Sequence, residues 1–103
     1  GGLGLAPGLC VGDTQAMAQA THGSAPDIAG QNIANPYAMI ISGKMLLDWL
    51  GRKHDEPKAI EAANLIDKAV DDVIAEATHL TGDLGGAVGT REMGDAIAGK
   101  IVQ

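Results

Sequence analysis

Apolar residues cover almost the whole circumference of one segment in the middle of the chain. Asn35-Pro36 favours a helix start, with Asn as the N-cap residue and Pro in the first helical position, and Gly51 favours a helix end. Between them only Lys44 and Asp48, four residues apart, form a polar stripe. A helix that is apolar almost all round is normally buried on every side, so we expect protein mass beyond this chain to cover it.

Two further helices are predicted towards the C-terminal side. The first begins at Pro57 and is ended by Gly82, and its apolar residues recur at spacings of three and four, which is typical of a helix packed on one face. The second begins at Thr90, which is expected to cap it, and runs to about Val102, with Glu92 in the first turn where the helix dipole favours an acid. The expected buried face of the Pro57 helix comprises Ile60, Ala63, Ile66, Val70, Val73, Ile74 and Ala77.

The N-terminal side shows short strand signals followed by a long loop. Leu3 and Leu5 alternate with glycine up to Gly8, which predicts a short strand, and residues 16–20 predict a weaker second strand. Residues 21–35 are rich in Gly, Pro, Asn, Asp and Ser and form a loop of a length that is usually functional. The order is therefore two short strands followed by three helices, in the α/β class.

Composition narrows the class of protein. The chain has 103 residues, enough for one small domain, but its 15 glycines, single Trp and Tyr and lack of Phe imply a thin core that depends on a partner chain or on another part of the same protein. A net charge of −6 argues against nucleic-acid binding, and the apolar stretches are too short to span a membrane. The single cysteine, Cys10, indicates a reducing compartment, either the cytoplasm or an organelle matrix. We expect its thiol to be buried and inert.

The glycine clusters do not match standard phosphate-binding motifs. The glycines at 2 and 4 lack the third glycine of a dinucleotide fingerprint, and residues 82–89 lack the Lys-Ser/Thr pair of a P-loop, so tight turns are the simpler interpretation. His22 has no second His or Cys at metal-ligand spacing, which argues against zinc. Asp27 has two interpretations: a turn-forming residue, or an acceptor for ribose hydroxyls, as an acid is in many dinucleotide sites.

One long motif is far more specific than these single residues. Residues 21–36, Thr-His-Gly-Ser-Ala-Pro-Asp-Ile-Ala-Gly-Gln-Asn-Ile-Ala-Asn-Pro, resemble the adenosine-binding loop of the β-decarboxylating dehydrogenases, the family of isocitrate, isopropylmalate, homoisocitrate and tartrate dehydrogenases. Further motifs in register extend the resemblance over the whole chain: residues 2–8, 38–42, 45–47, 82–86 and 93–97.

The resemblance implies an NAD(P)- and divalent-metal-dependent oxidation of a 2-hydroxy acid, followed by loss of its β-carboxylate as carbon dioxide. Residues 1–103 then form a single partial domain carrying the adenosine-binding loop (21–36), the C-terminal part of the large domain in a two-domain fold like that of isocitrate and isopropylmalate dehydrogenases. Isocitrate is the first expectation for the substrate, because residues 93–97 resemble isocitrate enzymes. Residues 27–28 and 83–86 suit isopropylmalate or tartrate relatives equally.

By the same resemblance, one group of residues surrounds the adenosine half of the cofactor. His22 is expected against the adenine, Asp27 accepts from the ribose hydroxyls with Ile28 packed beside them, and Asn35 hydrogen-bonds the adenine. The backbone of residues 23–25 lines the nucleotide. The implied cofactor-binding residues are His22, Gly23, Ser24, Ala25, Pro26, Asp27, Ile28, Asn35 and Asp83.

Charge favours NAD over NADP at such a site. NADP-using relatives carry Lys-Tyr where this chain has Asp27-Ile28, and Tyr and Arg where Gly82 and Gly86 flank Asp83. A carboxylate about 4 Å from a 2′-phosphate is repelled by about 4 kcal/mol at an effective dielectric constant near 20. That energy corresponds to roughly three decades of affinity, so NAD is the expected cofactor.

Two departures from the family pattern bear on catalysis. Gln19 stands where the family usually has glutamate near the nicotinamide. The family's substrate arginines, catalytic tyrosine and lysine and metal-binding aspartates correspond to positions upstream of Gly1, so the ligands of Mg or Mn are expected outside this chain, which alone should not turn over substrate. We expect a homodimer or contact with the remaining part of the enzyme. Two alternatives stay open: a truncated, non-catalytic relative that binds a nucleotide or a partner subunit, and a helical assembly segment with no binding role.

Overall fold

The computed structural model describes residues 5–21 and 26–102. Two strands, β1 (Leu9–Val11) and β2 (Ala16–Ala18), precede three helices, α1 (Tyr37–Lys53), α2 (Pro57–Glu76) and α3 (Thr90–Ile101). The order confirms the predicted arrangement of two short strands followed by three helices. Among the described residues, no helix has the length and apolar character needed to cross a membrane.

The strands form an antiparallel hairpin, and the first of them lies later in the chain than predicted. Leu9 pairs with Ala18, Cys10 with Met17 and Val11 with Ala16, and the turn is closed by a 2.7 Å bond from the Gly12 N–H to the carbonyl of Gln15. The predicted strand at Leu5 is wrong, and Leu3 lies outside the described residues. Strand pairing depends on a partner at hairpin distance, which alternation with glycine does not supply.

Cys10 is exposed, which corrects the expectation of a buried thiol. In the hairpin it stands opposite Met17, which is 53% exposed. Side chains of successive strand residues point to opposite faces, and Cys10 falls on the face that the described helices leave open. The neighbouring residues Leu9 and Ala18 are half-buried.

Helix α1 extends through Gly51, where the sequence predicts its end. Gly51 is buried, and a Cβ atom on it would lie 2.5 Å from Cγ1 of Ile60 and 3.0 Å from the carbonyl oxygen of Glu56. This glycine therefore lets α2 approach α1 closely, and the helix continues to Lys53. Here glycine serves packing rather than termination.

Helix α1 is half-buried rather than covered on every side. Its buried residues are Ala38, Ile41, Ser42 and Gly51, whereas Met39 is 53% exposed. Helix α2 and the hairpin cover only part of its circumference. The described residues therefore leave part of α1 uncovered, and its coverage by protein beyond this chain stays a prediction.

The hydrophobic core lies where α2 packs between α1 and α3. The predicted face of α2 is confirmed for Ala63, Val70 and Val73, which are all buried, but Ile74 is 38% exposed. The helix ends at Glu76, followed by Ala77 in the left-handed conformation (φ 57°), and not at Gly82 as predicted. The core cluster consists of Ile41, Ala69, Val70, Val73, Met93 and Ile97.

Candidate nucleotide-binding site

Beyond residue 25, the long loop contains a short 3-10 turn over Pro26–Ile28. The side chain of Gln31 donates to the carbonyl oxygen of Asp27 at 3.0 Å, and the Gln31 N–H donates to the carbonyl of Ile28 at 3.2 Å. The turn thus uses the backbone of Asp27, and the residue itself is exposed. An exposed carboxylate on a turn can accept hydrogen bonds from ligand hydroxyls. His22, Gly23, Ser24 and Ala25 lie outside the described residues.

Asn35 is buried at the end of this loop, with 8% of its surface exposed. Its Oδ1 accepts a 2.8 Å bond from the backbone N–H of Tyr37, the first residue of α1. The predicted capping role is therefore displaced by one position, since the N-cap residue itself is Pro36 and makes no side-chain cap bond. This bond also assigns the two ends of the amide, because Nδ2 must then face the other way.

Nδ2 of Asn35 donates to Oδ2 of Asp83 at 3.1 Å. These two residues were implied for the same pocket, and the structure brings them into contact across 48 positions of sequence. The other oxygen of the carboxylate, Oδ1, accepts a 2.5 Å bond from the hydroxyl of Thr81. Each oxygen of Asp83 therefore has its own donor, and Asn35 retains one amide hydrogen for a further acceptor.

Asp83 stands on a tight turn built on Thr81. The turn is a 3-10 segment, Gly82–Leu84, followed by Gly85 in the left-handed conformation (φ 83°). The carbonyl of Thr81 accepts the N–H groups of Leu84 at 3.0 Å and Gly86 at 3.1 Å. Because these bonds close the turn from inside, Asp83 is presented at an exposed position.

The loop is also joined to the start of α3. Oδ1 of Asn32 accepts the N–H of Arg91 at 2.9 Å, and its carbonyl accepts the N–H of Thr90 at 3.0 Å. The N-cap residue of α3 is Gly89, and the Thr90 hydroxyl donates to the carbonyl of Ala34 instead of capping the helix. The prediction that Thr90 caps α3 is thus wrong, because Asn32 supplies the capping acceptor from the loop.

Sequence reasoning did not single out Asn32 or Thr81. Asn32 adopts the left-handed conformation (φ 59°), which Asn tolerates better than most residues, so its position in a glycine-rich loop was a usable signal. Thr81 is a completely buried polar residue. The only local signal for it was its position two residues before an acid.

The exposed surface of these turns is acidic. Asp27 and Asp83 are both exposed, and within residues 5–21 and 26–102 neither forms an ion pair with Lys, Arg or His. Two unneutralised carboxylates disfavour an additional phosphate and leave acceptors for hydroxyls. No group of three or more metal-ligating side chains occurs in the described residues.

Comparison with known proteins identifies the fold and the family together. The family model for isocitrate/isopropylmalate dehydrogenase matches residues 1–97. The isocitrate/homoisocitrate dehydrogenase of Thermus thermophilus is 50% identical over 97 residues, covering 94% of this chain and 27% of that protein. Subunit 2 of the mitochondrial NAD isocitrate dehydrogenase of Kluyveromyces lactis is 44% identical over 102 residues, covering 98% of this chain and 26% of that protein.

Solved structures agree with the sequence comparisons. The crystal structure of isocitrate dehydrogenase from Methylococcus capsulatus superimposes with a TM-score of 0.86 at 43% identity, over all of this chain and 29% of that one. A β-decarboxylating dehydrogenase from Thermococcus kodakarensis gives a TM-score of 0.82 at 40% identity, over 97% of this chain and 27% of that one. This chain therefore spans about a quarter of the length of these relatives. Taken with the match over residues 1–97, these similarities show that the chain belongs to the isocitrate/isopropylmalate dehydrogenase family, whose members are β-decarboxylating dehydrogenases.

Proposed function

We propose that this chain supplies the adenosine-binding part of an NAD-dependent enzyme that oxidises and decarboxylates a 2-hydroxy acid. The observation that carries the proposal is the hydrogen bond between Asn35 and Asp83. It joins the end of the long loop to the turn over Gly82–Leu84, so two residues implied for the adenosine pocket form one continuous wall. The spare amide hydrogen of Asn35 and the exposed Asp27 fit an adenine and a ribose respectively.

The residues of the loop and turn bind and orient the dinucleotide in this proposal. Asp27 accepts from the ribose hydroxyls, Ile28 packs beside them, and Asn35 and Asp83 face the adenine side. Bound NAD would supply a hydride acceptor for the substrate carbon that carries the hydroxyl, and a divalent Mg or Mn ion in the complete enzyme would supply a Lewis acid. The metal ligands belong, in this proposal, to parts of the enzyme beyond this chain.

The acidic character of the pocket supports NAD rather than NADP. Asp27 and Asp83 form no ion pair with Lys, Arg or His among the described residues, so a 2′-phosphate beside them would meet two unneutralised negative charges. Several relatives, including the Kluyveromyces lactis subunit, are named as NAD enzymes. NAD is therefore the proposed cofactor.

Calorimetric titration of the chain with NAD, ADP-ribose, AMP and NADP tests the proposal directly. We expect the first three ligands to bind with similar affinity, because they share the adenosine half, and NADP to bind at least tenfold more weakly. Asp27→Lys should lower the affinity for NAD and reduce the difference in affinity between NAD and NADP. Asp71→Lys on the exposed side of α2 makes the same change in net charge and should leave NAD binding unaltered. Equal affinity of wild type for NAD and NADP would refute the choice of cofactor.

The substrate proposed first is isocitrate, with isopropylmalate or tartrate next. The alternative function is a truncated, non-catalytic relative that binds a nucleotide or a partner subunit, and the specific residue that favours it is Gln19, whose exposed side chain stands where the family usually has glutamate. An assay of hydride transfer distinguishes the enzyme from the non-catalytic relative. It uses isocitrate, isopropylmalate and tartrate in turn, each with NAD and Mg. Adenosine binding without turnover, in every form in which the protein occurs, would favour the alternative.

The proposed partners are a second copy of the protein or the remaining part of the enzyme, in the cytoplasm or an organelle matrix. The half-buried circumference of α1 supports an additional contact, since Met39 is 53% exposed. Gel filtration with light scattering distinguishes a dimer from a monomer at micromolar concentration.

A further inference from the structure

Thr81 carries a polar group that is completely buried and yet bonds to an exposed acid. Its relative exposure is 0%, and its hydroxyl lies 2.5 Å from Oδ1 of Asp83 and 3.9 Å from the sulfur of Met93. A hydroxyl has one hydrogen to donate, and a carboxylate is a much better acceptor than a thioether. The hydrogen therefore points to Asp83, and the buried position of Thr81 fixes its direction.

The backbone hydrogen bonds that close the turn over Gly82–Leu84 do not orient the side chain of Asp83. The residue is exposed, and an exposed side chain without a fixed donor exchanges among several rotamers. Thr81 holds Oδ1, which directs Oδ2 towards the amide of Asn35 at 3.1 Å. Asn35 is oriented in turn by the N–H of Tyr37 at 2.8 Å. The carboxylate of Asp83 thus has one donor on each oxygen. The Thr81 donor is fixed by its burial and the Asn35 donor by its bond to Tyr37.

We propose that Thr81 is a positioning residue for the adenosine pocket, acting through the carboxylate of Asp83. Its hydroxyl keeps Asp83 in the orientation that binds Asn35 and so preorganises both residues for the adenosine half of the dinucleotide. Without the hydroxyl, the amide of Asn35 holds only one oxygen of Asp83. Part of the ordering of the carboxylate is then left to ligand binding, and that cost lowers the affinity. This inference rests on the proposed function and assigns a role within that site to a residue that touches no ligand.

Binding of AMP to variants of the full chain tests this role. Thr81→Val keeps the shape and removes the hydroxyl, and we expect the Kd for AMP to rise about tenfold, the scale of one hydrogen bond to a charged group. Thr81→Ser keeps the hydroxyl, and its Kd for AMP should lie within about twofold of the wild-type value. In an Asp83→Ala background, Thr81→Val should cause no further loss, because the group through which Thr81 acts is absent.

A second measurement detects the hydrogen bonds from Thr81 through Asp83 to Asn35 in the absence of a ligand. The side-chain amide signals of Asn35 in the nitrogen-15 NMR spectrum should move in Thr81→Val and stay in place in Thr81→Ser. If Thr81→Val does not fold, Thr81→Ala and Thr81→Ser, which differ by one oxygen atom, replace it in both measurements.

Each outcome decides for or against the role of Thr81. Wild-type affinity in Thr81→Val, an equal loss in Thr81→Ser, or an undiminished loss in the Asp83→Ala background would overturn it and leave the proposed function intact. Failure of the wild-type chain to bind AMP, ADP-ribose and NAD would overturn the proposed function, and the binding role of Thr81 with it.

Discussion

The side-chain oxygen of Asn32 accepts a hydrogen bond from the backbone N–H of Arg91 at 2.9 Å, across 59 positions of sequence. Through this bond a loop residue satisfies one of the unpaired donors at the start of α3. The candidate nucleotide loop is therefore attached to a helix whose residues Met93 and Ile97 belong to the core. Loosening this attachment should affect both the stability of the chain and the order of the loop.

Replacing Asn32 should separate its two roles. Asn32→Gly removes the capping acceptor but tolerates the left-handed backbone at φ 59°, and it should lower the free energy of unfolding by about 1 kcal/mol, the net contribution of one hydrogen bond. Asn32→Ala also strains the backbone and should cost about 1 kcal/mol more. Urea denaturation followed by circular dichroism measures both. Asn64→Ala, at an exposed position of α2, is the control and should not destabilise; equal values for all three variants would contradict the capping role.

Replacement by alanine should change the stability of the chain in opposite directions at two glycines of α1. At Gly51 the new Cβ would lie 2.5 Å from Cγ1 of Ile60, so Gly51→Ala should destabilise the chain by about 1–3 kcal/mol through overpacking. A Cβ on Gly43 would meet nothing within 4 Å in the described part of the chain, apart from its chain neighbours and the backbone of its own helix. Gly43→Ala should therefore stabilise the chain by up to about 1 kcal/mol through reduced backbone entropy. The midpoints of urea denaturation measure the stability of both variants. A gain of stability in Gly51→Ala would show that α1 and α2 are not in close contact there.

Side chains introduced around Asp83 should be tolerated at one flanking glycine and not at the other. Among residues 5–21 and 26–102, a Cβ on Gly82 would have no atom within 4 Å apart from its chain neighbours, whereas a Cβ on Gly86 would collide with the backbone of Leu80. Gly82→Tyr should therefore fold normally, and Gly86→Arg should lower the thermal midpoint because the turn must open. Adding Gly82→Tyr to Asp27→Lys should raise NADP affinity relative to NAD. A stable Gly86→Arg variant would mean that the turn has an alternative conformation.

The pKa of Asp72 should depend on Lys68. A 2.8 Å hydrogen bond from Lys68 holds the pKa of this carboxyl below its usual value, with help from the charges of Lys68 and Lys100 and against the effect of desolvation. A pKa lowered on folding stabilises the folded chain above the unfolded value near 3.8, and that contribution disappears as the pH falls through the folded pKa. The contribution is small because the pair is exposed and screened by water.

Carbon-13 NMR titration of the Asp72 carboxyl measures this dependence. The midpoint should rise towards its usual value in Lys68→Ala and in high salt, which screens the pair. Lys58→Ala, which removes another exposed lysine of α2, should leave it unchanged. An identical midpoint in wild type and Lys68→Ala would show that the pair does not persist in solution.

Local signals predicted the type and order of the elements well, and tertiary contacts explain the errors. Pro57 begins α2 as predicted, because a proline in the first helical position acts within one helical turn. The start of α3 at Thr90 also agrees with the prediction, but the capping acceptor comes from Asn32 and not from Thr90. The predicted end of α1 at Gly51 was wrong, because this glycine allows close packing against Ile60 in the next helix. Cys10 was misplaced because exposure depends on which face of the hairpin the helices cover.

The amino-acid sequence by itself determined the helical periodicities, the acidic balance, the loop between the hairpin and α1, and the family resemblance, since each is a property of residues near one another in the chain. Only the tertiary structure decided that Asn32 caps α3 and that Thr81, Asp83 and Asn35 form one hydrogen-bonded series. A hydrogen bond needs its donor and acceptor within about 3 Å. For residues separated by 48 or 59 positions, that proximity is set by how the three helices pack.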